Sequence, residues 1–226
     1  MLLPPSDTVI EAVKPDQMSI LRRHFTLYYK LLTEAKCIPE ATWTPFLGTS
    51  RYLSGMNNPH TNMVIGLPKA NWDTEIQKHK AFFKQHSVPF VWYIDEKAND
   101  LFKDKLIEYG FTAEGVFQGV IGPLDKPYEV PTLAPNCTLE LVQDETTLNE
   151  CIQLISQVFQ IDPAQYKKAM QRPNMLFHWA AKADGKVVSC LTTLLDGGVA
   201  SFWNGATEPE HRRQGLSTAL RMLALN

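Results

Sequence analysis

Two adjacent arginines, Arg212 and Arg213, precede Gln214-Gly215-Leu216-Ser217-Thr218, and Leu216, Leu220 and Leu223 recur at helical spacing. The run before them, Val199-Ala200-Ser201-Phe202-Trp203-Asn204-Gly205-Ala206, reads as a strand. A basic loop therefore joins a strand to the start of a helix. Cations just ahead of a first turn oppose the helix dipole, whose unpaired N–H groups already make that end positive. A bound anion reverses the sign, because amides, dipole and two guanidinium groups then converge on a phosphate. Proton-transfer candidates are weaker. Glu208 is a candidate base acting through water, against the plainer reading of a solvated loop carboxylate. His178 has a suitable intrinsic pKa, but a satisfied core histidine is the better reading, and His211 lies on the loop itself. No Ser/His/Asp arrangement has a supporting spacing, so no catalytic residue is assigned.

Arg212-Arg213-Gln214-Gly215-Leu216-Ser217 resembles the Q/R-x-x-G-x-G/A motif of GNAT N-acetyltransferases, which grips the pyrophosphate of acetyl-CoA. The family's V-x-P-x-y-R lead-in is echoed by Thr207-Glu208-Pro209-Glu210-His211-Arg212. The resemblance implies that the cofactor pyrophosphate sits on the amides of Arg213, Gln214, Gly215, Leu216, Ser217 and Thr218, with Arg212 and Arg213 supplying charge. It also implies that pantetheine pairs with the main chain of Ala206 and Thr207. Ser217 departs from the family's Gly or Ala; its hydroxyl could donate to a phosphate oxygen, or its bulk could crowd the ligand. The implied activity is transfer of an acetyl group from acetyl-CoA to a primary amine, on a small molecule or a protein, without a metal. The alternative is a non-catalytic GNAT-like module that binds acyl-CoA or a protein partner.

The whole chain permits this. Its 226 residues can form one large domain or two small ones. A formal net charge of −2 argues against a nucleic-acid partner, and no apolar run approaches the roughly 20 residues of a membrane span. The start, Met1-Leu2-Leu3-Pro4-Pro5, does not read as a signal peptide. Cys37, Cys137, Cys151 and Cys190 lack metal-ligand spacing, and buried thiols in a reducing cytoplasm are expected.

Around the loop, the elements order themselves into two GNAT-like units of α/β (α+β) class, with mixed, mostly antiparallel sheets flanked by helices. Residues 1–121 read as a degenerate N-terminal unit. A helix from Pro15 to about Ala35 carries Met18, Leu21, Phe25, Tyr28 and Leu32 on one side, with Arg22 and Arg23 read as a solvated face. Residues 37–60 resist assignment, although Trp43, Phe46, Tyr52 and Leu53 are expected to pack. Then come a strand at 62–67, a helix capped by Asp73 or Thr74 and running to His86, a strand at 90–94 buried on both faces, a helix capped by Asn99, and a strand at 112–121. That order resembles the back half of the GNAT fold, and Tyr109-Gly110-Phe111 its terminal Gly-Phe. The turn at 68–73 has neither glycine nor arginine, and Leu106 stands where many members carry the tyrosine that protonates the departing thiolate. The front half is therefore expected to shape or support rather than catalyse.

Residues 122–136, with Pro123, Pro127, Pro131 and Pro135, read as a linker. Residues 137–226 follow the front-half order of the GNAT fold. A strand comes first, then a helix capped by Asp144 and a second entered through Asp162-Pro163. Strands at 175–183 and 186–195 are joined by the hairpin signature Asp184-Gly185, and Asp196-Gly197-Gly198 turns into the Val199 strand. Gly205 in that strand suggests a bulge whose freed amides could bind the acyl carbonyl, the plainer alternative being that it makes room for Trp203 or Phe202. About three helical turns follow Gly215, so this unit reads as incomplete. Three arrangements stay open: a shortened tandem protein, which is favoured, a permuted single unit in which the 90–94 strand lies beside the Val199 strand, or a homodimer that exchanges strands.

Overall fold

The computed structural model describes residues 15–34, 41–94, 100–115, 121–124, 127–170 and 175–226. Helix α1 (Pro15–Glu34) places Tyr28, Tyr29, Leu31 and Leu32 in the core, as its apolar spacing requires. A four-stranded sheet follows, in the order β1 (Thr42–Pro45), β2 (Thr49–Leu53), β3 (Met63–Gly66) and β4 (Val91–Tyr93). The first three strands run antiparallel, and β4 lies parallel to β3. The parallel pair is joined through α2 (Trp72–Gln85), and α3 (Asp100–Glu108) packs on α2 through Ile76, Phe102 and Leu106.

Residues 41–53 thus hold two strands where no element was assigned. Their hairpin turns through Gly48 at φ +90°, where an added Cβ would lie 2.2 Å from the Leu67 carbonyl oxygen, so only glycine fits. Tyr52 and Leu53 are fully buried as expected, whereas Trp43, on the outermost strand, is exposed. Helix α2 is entered two residues before the first of the expected caps: Asn71, in the left-handed region at φ 54°, contributes its carbonyl to Glu75 N–H and makes no side-chain cap. Strand β4 ends the sheet and is only half-buried, so it is not enclosed on both faces. Residues 111–115 and 121 are not strand, while 116–120 and the Asn99 cap lie outside the described residues, as does Cys37.

The second sheet is an antiparallel meander, β5 (Cys137–Leu141), β6 (Leu176–Ala183), β7 (Lys186–Asp196) and β8 (Val199–Thr207). Helices α4 (Glu145–Phe159) and α5 (Pro163–Met170) connect β5 to β6, and α6 (Leu216–Ala224) follows β8. The expected signals operate here. Asp144 accepts a hydrogen bond from Thr147 N–H at 2.8 Å, Asp162 accepts from Ala164 and Gln165, and Asp184-Gly185 turns with both φ positive, at 50° and 80°. The described linker residues form no helix or strand. Tyr128 exchanges two hydrogen bonds with the Asn226 amide, which ties the linker to the end of α6.

Because β4 and β8 belong to different sheets, the two halves do not form one permuted sheet. They nevertheless share a core. One apolar cluster runs from Tyr28 and Leu32 of α1, through Tyr52 and Met63, to Ile152, Ile155, Leu176, Leu194 and Ala206. Polar contacts fix α1 against the β7–β8 turn: Arg23 pairs with Asp196, and His24 Nδ1 lies 2.9 Å from Ser201 Oγ. Among the described residues, no helix is long and apolar enough to cross a membrane.

Candidate anion-binding site

Strand β8 delivers the chain to a short 3-10 turn, Pro209–His211, and then to Arg212 in an extended conformation. Arg213 and Gly215 both adopt the left-handed region, at φ 68° and φ 80°, and Gly215 is the residue from which α6 departs. Left-handed residues of this kind, set just ahead of a helix N-terminus, can gather successive N–H groups into an anion nest. Among the described residues, the N–H groups of Arg213 to Thr218 have no backbone acceptor, and the first to bond back is Ala219, to the Gly215 carbonyl at 2.9 Å.

Side chains hold the loop in place. Arg212 Nε donates to the Thr207 carbonyl at 3.1 Å, and Gln214 Nε2 to the Glu210 carbonyl at 3.1 Å. Arg212, Arg213, Gln214 and Gly215 are exposed, as is Thr218, while Ser217 is half-buried. Neither arginine forms an ion pair among the described residues. Leu216, Ala219 and Leu220 are buried, with Leu216 and Leu220 against Leu191 and Phe202, so the sheet aims the helix. No acidic residue occupies the first turn of α6, and its positive end is left uncompensated. The matching end of α2 differs, carrying Asp73 and Glu75 in its first turn. Carboxylates there repel phosphate.

The predicted residues therefore converge, with one distinction along β8. Glu208 N–H bonds the Val188 carbonyl at 2.9 Å, so by strand alternation Glu208 and Ala206 face β7, while Thr207 faces the free edge. The Ala206 carbonyl also accepts from Ser189 Oγ, at 3.1 Å. The bulge exists: Cys190 pairs with Ala206 and Thr192 with Trp203, leaving Asn204 and Gly205 opposite Leu191. Its unusual backbone is that of Asn204, at φ 54°, not of Gly205, where an added Cβ would meet only Leu191 Cδ1 at 3.7 Å. The Asn204-Gly205 dipeptide, a turn signal inside a strand, was the cue that could have located it.

The titratable candidates are largely engaged. Glu208 Oε2 lies 3.2 Å from His211 Nδ1, close enough for an ion pair with a protonated imidazole but without hydrogen-bond geometry. His178 is a satisfied core histidine, with Thr192 Oγ1 at 3.1 Å and the Met170 carbonyl at 3.0 Å, and burial pushes its pKa down. Cys151 and Cys190 are buried, and the bond with Cys151 together with burial pushes the Cys190 thiol well up, leaving it un-ionised. Leu106 is buried between Ile76 and Phe102 and offers no proton.

No family model matches the chain, and no curated protein matches it. Solved structures do. A GCN5-related N-acetyltransferase from Kribbella flavida superposes with a TM-score of 0.60 at 15% identity, over 85% of this chain and 77% of its own. One from Sphaerobacter thermophilus gives 0.56 at 13% identity, over 79% and 63%. A functionally unknown conserved protein from Staphylococcus epidermidis ATCC 12228 gives 0.53 at 11%, over 82% and 79%. The chain has the fold of the GCN5-related N-acetyltransferases.

Proposed function

We propose that this chain, built on the GCN5-related N-acetyltransferase fold, is an acyltransferase that uses acetyl-CoA to acetylate a primary amine. The observation that carries the reading is the loop between β8 and α6: among the described residues, the amides from Arg213 to Thr218 have no backbone acceptor, neither arginine forms an ion pair, and no carboxylate sits in the first helical turn. Such a cradle favours a pyrophosphate. The cofactor's pantetheine arm would then run along the free edge of β8, past the main chain of Thr207 and the bulge residue Gly205. At the bulge an acyl carbonyl could take an amide, so that negative charge developing on its oxygen as the amine attacks is stabilised. The amine must lose a proton and the thiolate must gain one; no described side chain is assigned to either step.

A second reading, a non-catalytic module that binds acyl-CoA, is favoured by buried Leu106 at the position of the family's acid. Thermal melting with and without acetyl-CoA, followed by thiol release across an amine panel, separates the two. A stabilisation that grows with ligand concentration, together with thiol release, supports the enzyme. Stabilisation without release supports the module, and no stabilisation overturns both.

A further inference from the structure

Tyr28 belongs to α1, far from the loop in sequence, yet it grips two successive residues of β8 at the bulge. Its ring stacks on Trp203, with centroids 4.0 Å apart and planes 6° from parallel. Its hydroxyl donates to Asn204 Oδ1 at 2.7 Å. Asn204 is the bulge residue in the left-handed region, at φ 54°, a conformation that asparagine adopts more readily than most non-glycine residues. Among the described residues, the other end of its amide reaches a soft partner, Met170 Sδ at 3.6 Å. Tyr28 is 4% exposed, and burial pushes its phenol up to about 12, so it remains a neutral donor at ordinary pH.

We propose that Tyr28 is a positioning residue for acyl transfer: it holds Asn204 left-handed, and so keeps the main chain of Gly205 in its bulged position. This rests on the acyltransferase reading above. Without the hydroxyl, Asn204 Oδ1 loses its donor, and the strand gains by relaxing toward regular pairing, which displaces the Gly205 amide. The front half of the chain would thus act on the reaction through one hydrogen bond, without touching the substrate.

The test uses three variants of the full chain. Tyr28→Phe keeps the ring on Trp203 and deletes only the hydroxyl, Asn204→Gly takes a positive φ without side-chain support, and the third combines them. Tyr28→Phe should lower kcat about tenfold, a fraction of the roughly 10²–10³ that loss of an oxyanion donor costs, with the Kd for CoA unchanged. The double variant should recover most of that loss, which a purely structural role for Tyr28 does not predict. Backbone amide resonances of Asn204 and Gly205, followed without ligand, should shift in Tyr28→Phe and return in the double variant. Unshifted resonances overturn the proposal even if the wild type binds CoA without turnover. Equal kcat in Tyr28→Phe and wild type overturns it while leaving the acyltransferase reading intact, whereas a wild type that does not bind CoA overturns both.

Discussion

Replacing Gly215 with glutamate isolates the electrostatic core of the site. Gly215 has φ 80° and ψ −2°, and a Cβ built there meets nothing within 4 Å. A side chain therefore fits, but in the left-handed region, at a conformational cost of about 1–2 kcal/mol. That cost falls on free and CoA-bound protein alike, so it lowers stability without altering affinity. The carboxylate does alter affinity, because it stands where the pyrophosphate is expected. One pair of like charges about 4 Å apart costs about 1 kcal/mol in bulk water and about 4 kcal/mol at an effective dielectric constant near 20. The CoA dissociation constant should therefore rise by roughly 5-fold to 1,000-fold, and the deficit should shrink as salt screens the charge. Gly215→Asn is the control, since asparagine tolerates the same backbone and adds no charge. Calorimetry with CoA, paired with thermal melts, separates the two effects. Glutamate binding as tightly as wild type, or asparagine losing as much as glutamate, would refute the phosphate cradle.

Arg212→Ala combined with Arg213→Ala should weaken CoA binding roughly tenfold and flatten its salt dependence, because the removed charges are exposed and screened; an unchanged salt slope in calorimetry would count against them as phosphate ligands. His79 should make the fold acid-sensitive. Its imidazole is fully buried between Phe46 and Trp92, with no hydrogen-bond partner among the described residues, Arg51 and Lys78 nearby and Glu75 Oε2 at 3.7 Å. Burial first, then Arg51 and Lys78, lower its pKa from 6.5 to about 4. The folded value lies below the unfolded one, so this contribution is complete above pH 6.5 and is lost as the pH falls toward 4. It amounts to at most about 3 kcal/mol. Denaturant titrations followed by tryptophan fluorescence should show that slope in wild type and a flatter one in His79→Leu; equal slopes would exclude His79 as its source. Leu220→Ala, at a fully buried position of α6, should cost about 2–5 kcal/mol in chemical denaturation, and a smaller loss would mean that α6 is not held by this face.

What the amino-acid sequence settled by itself is local. The Asp144 and Asp162 caps, the Asp184-Gly185 turn and the apolar stripe of α6 lie within a few residues of the groups they act on, so they were readable without a partner, as was the place of the arginine-glycine loop between a strand and a helix. Only the tertiary structure decided what depends on distant residues. Strands β1 and β2 are short, and their glycine at position 48 answers to the carbonyl of Leu67 rather than to its neighbours. Strand β4 read as buried on both faces because its composition is apolar, but it lies at a sheet edge. The bulge was foreseen at Gly205, yet its strained residue is Asn204, held by a tyrosine from the opposite half of the chain. Such a contact leaves no period or motif, because its free energy comes from two groups meeting only after both sheets have closed around α1.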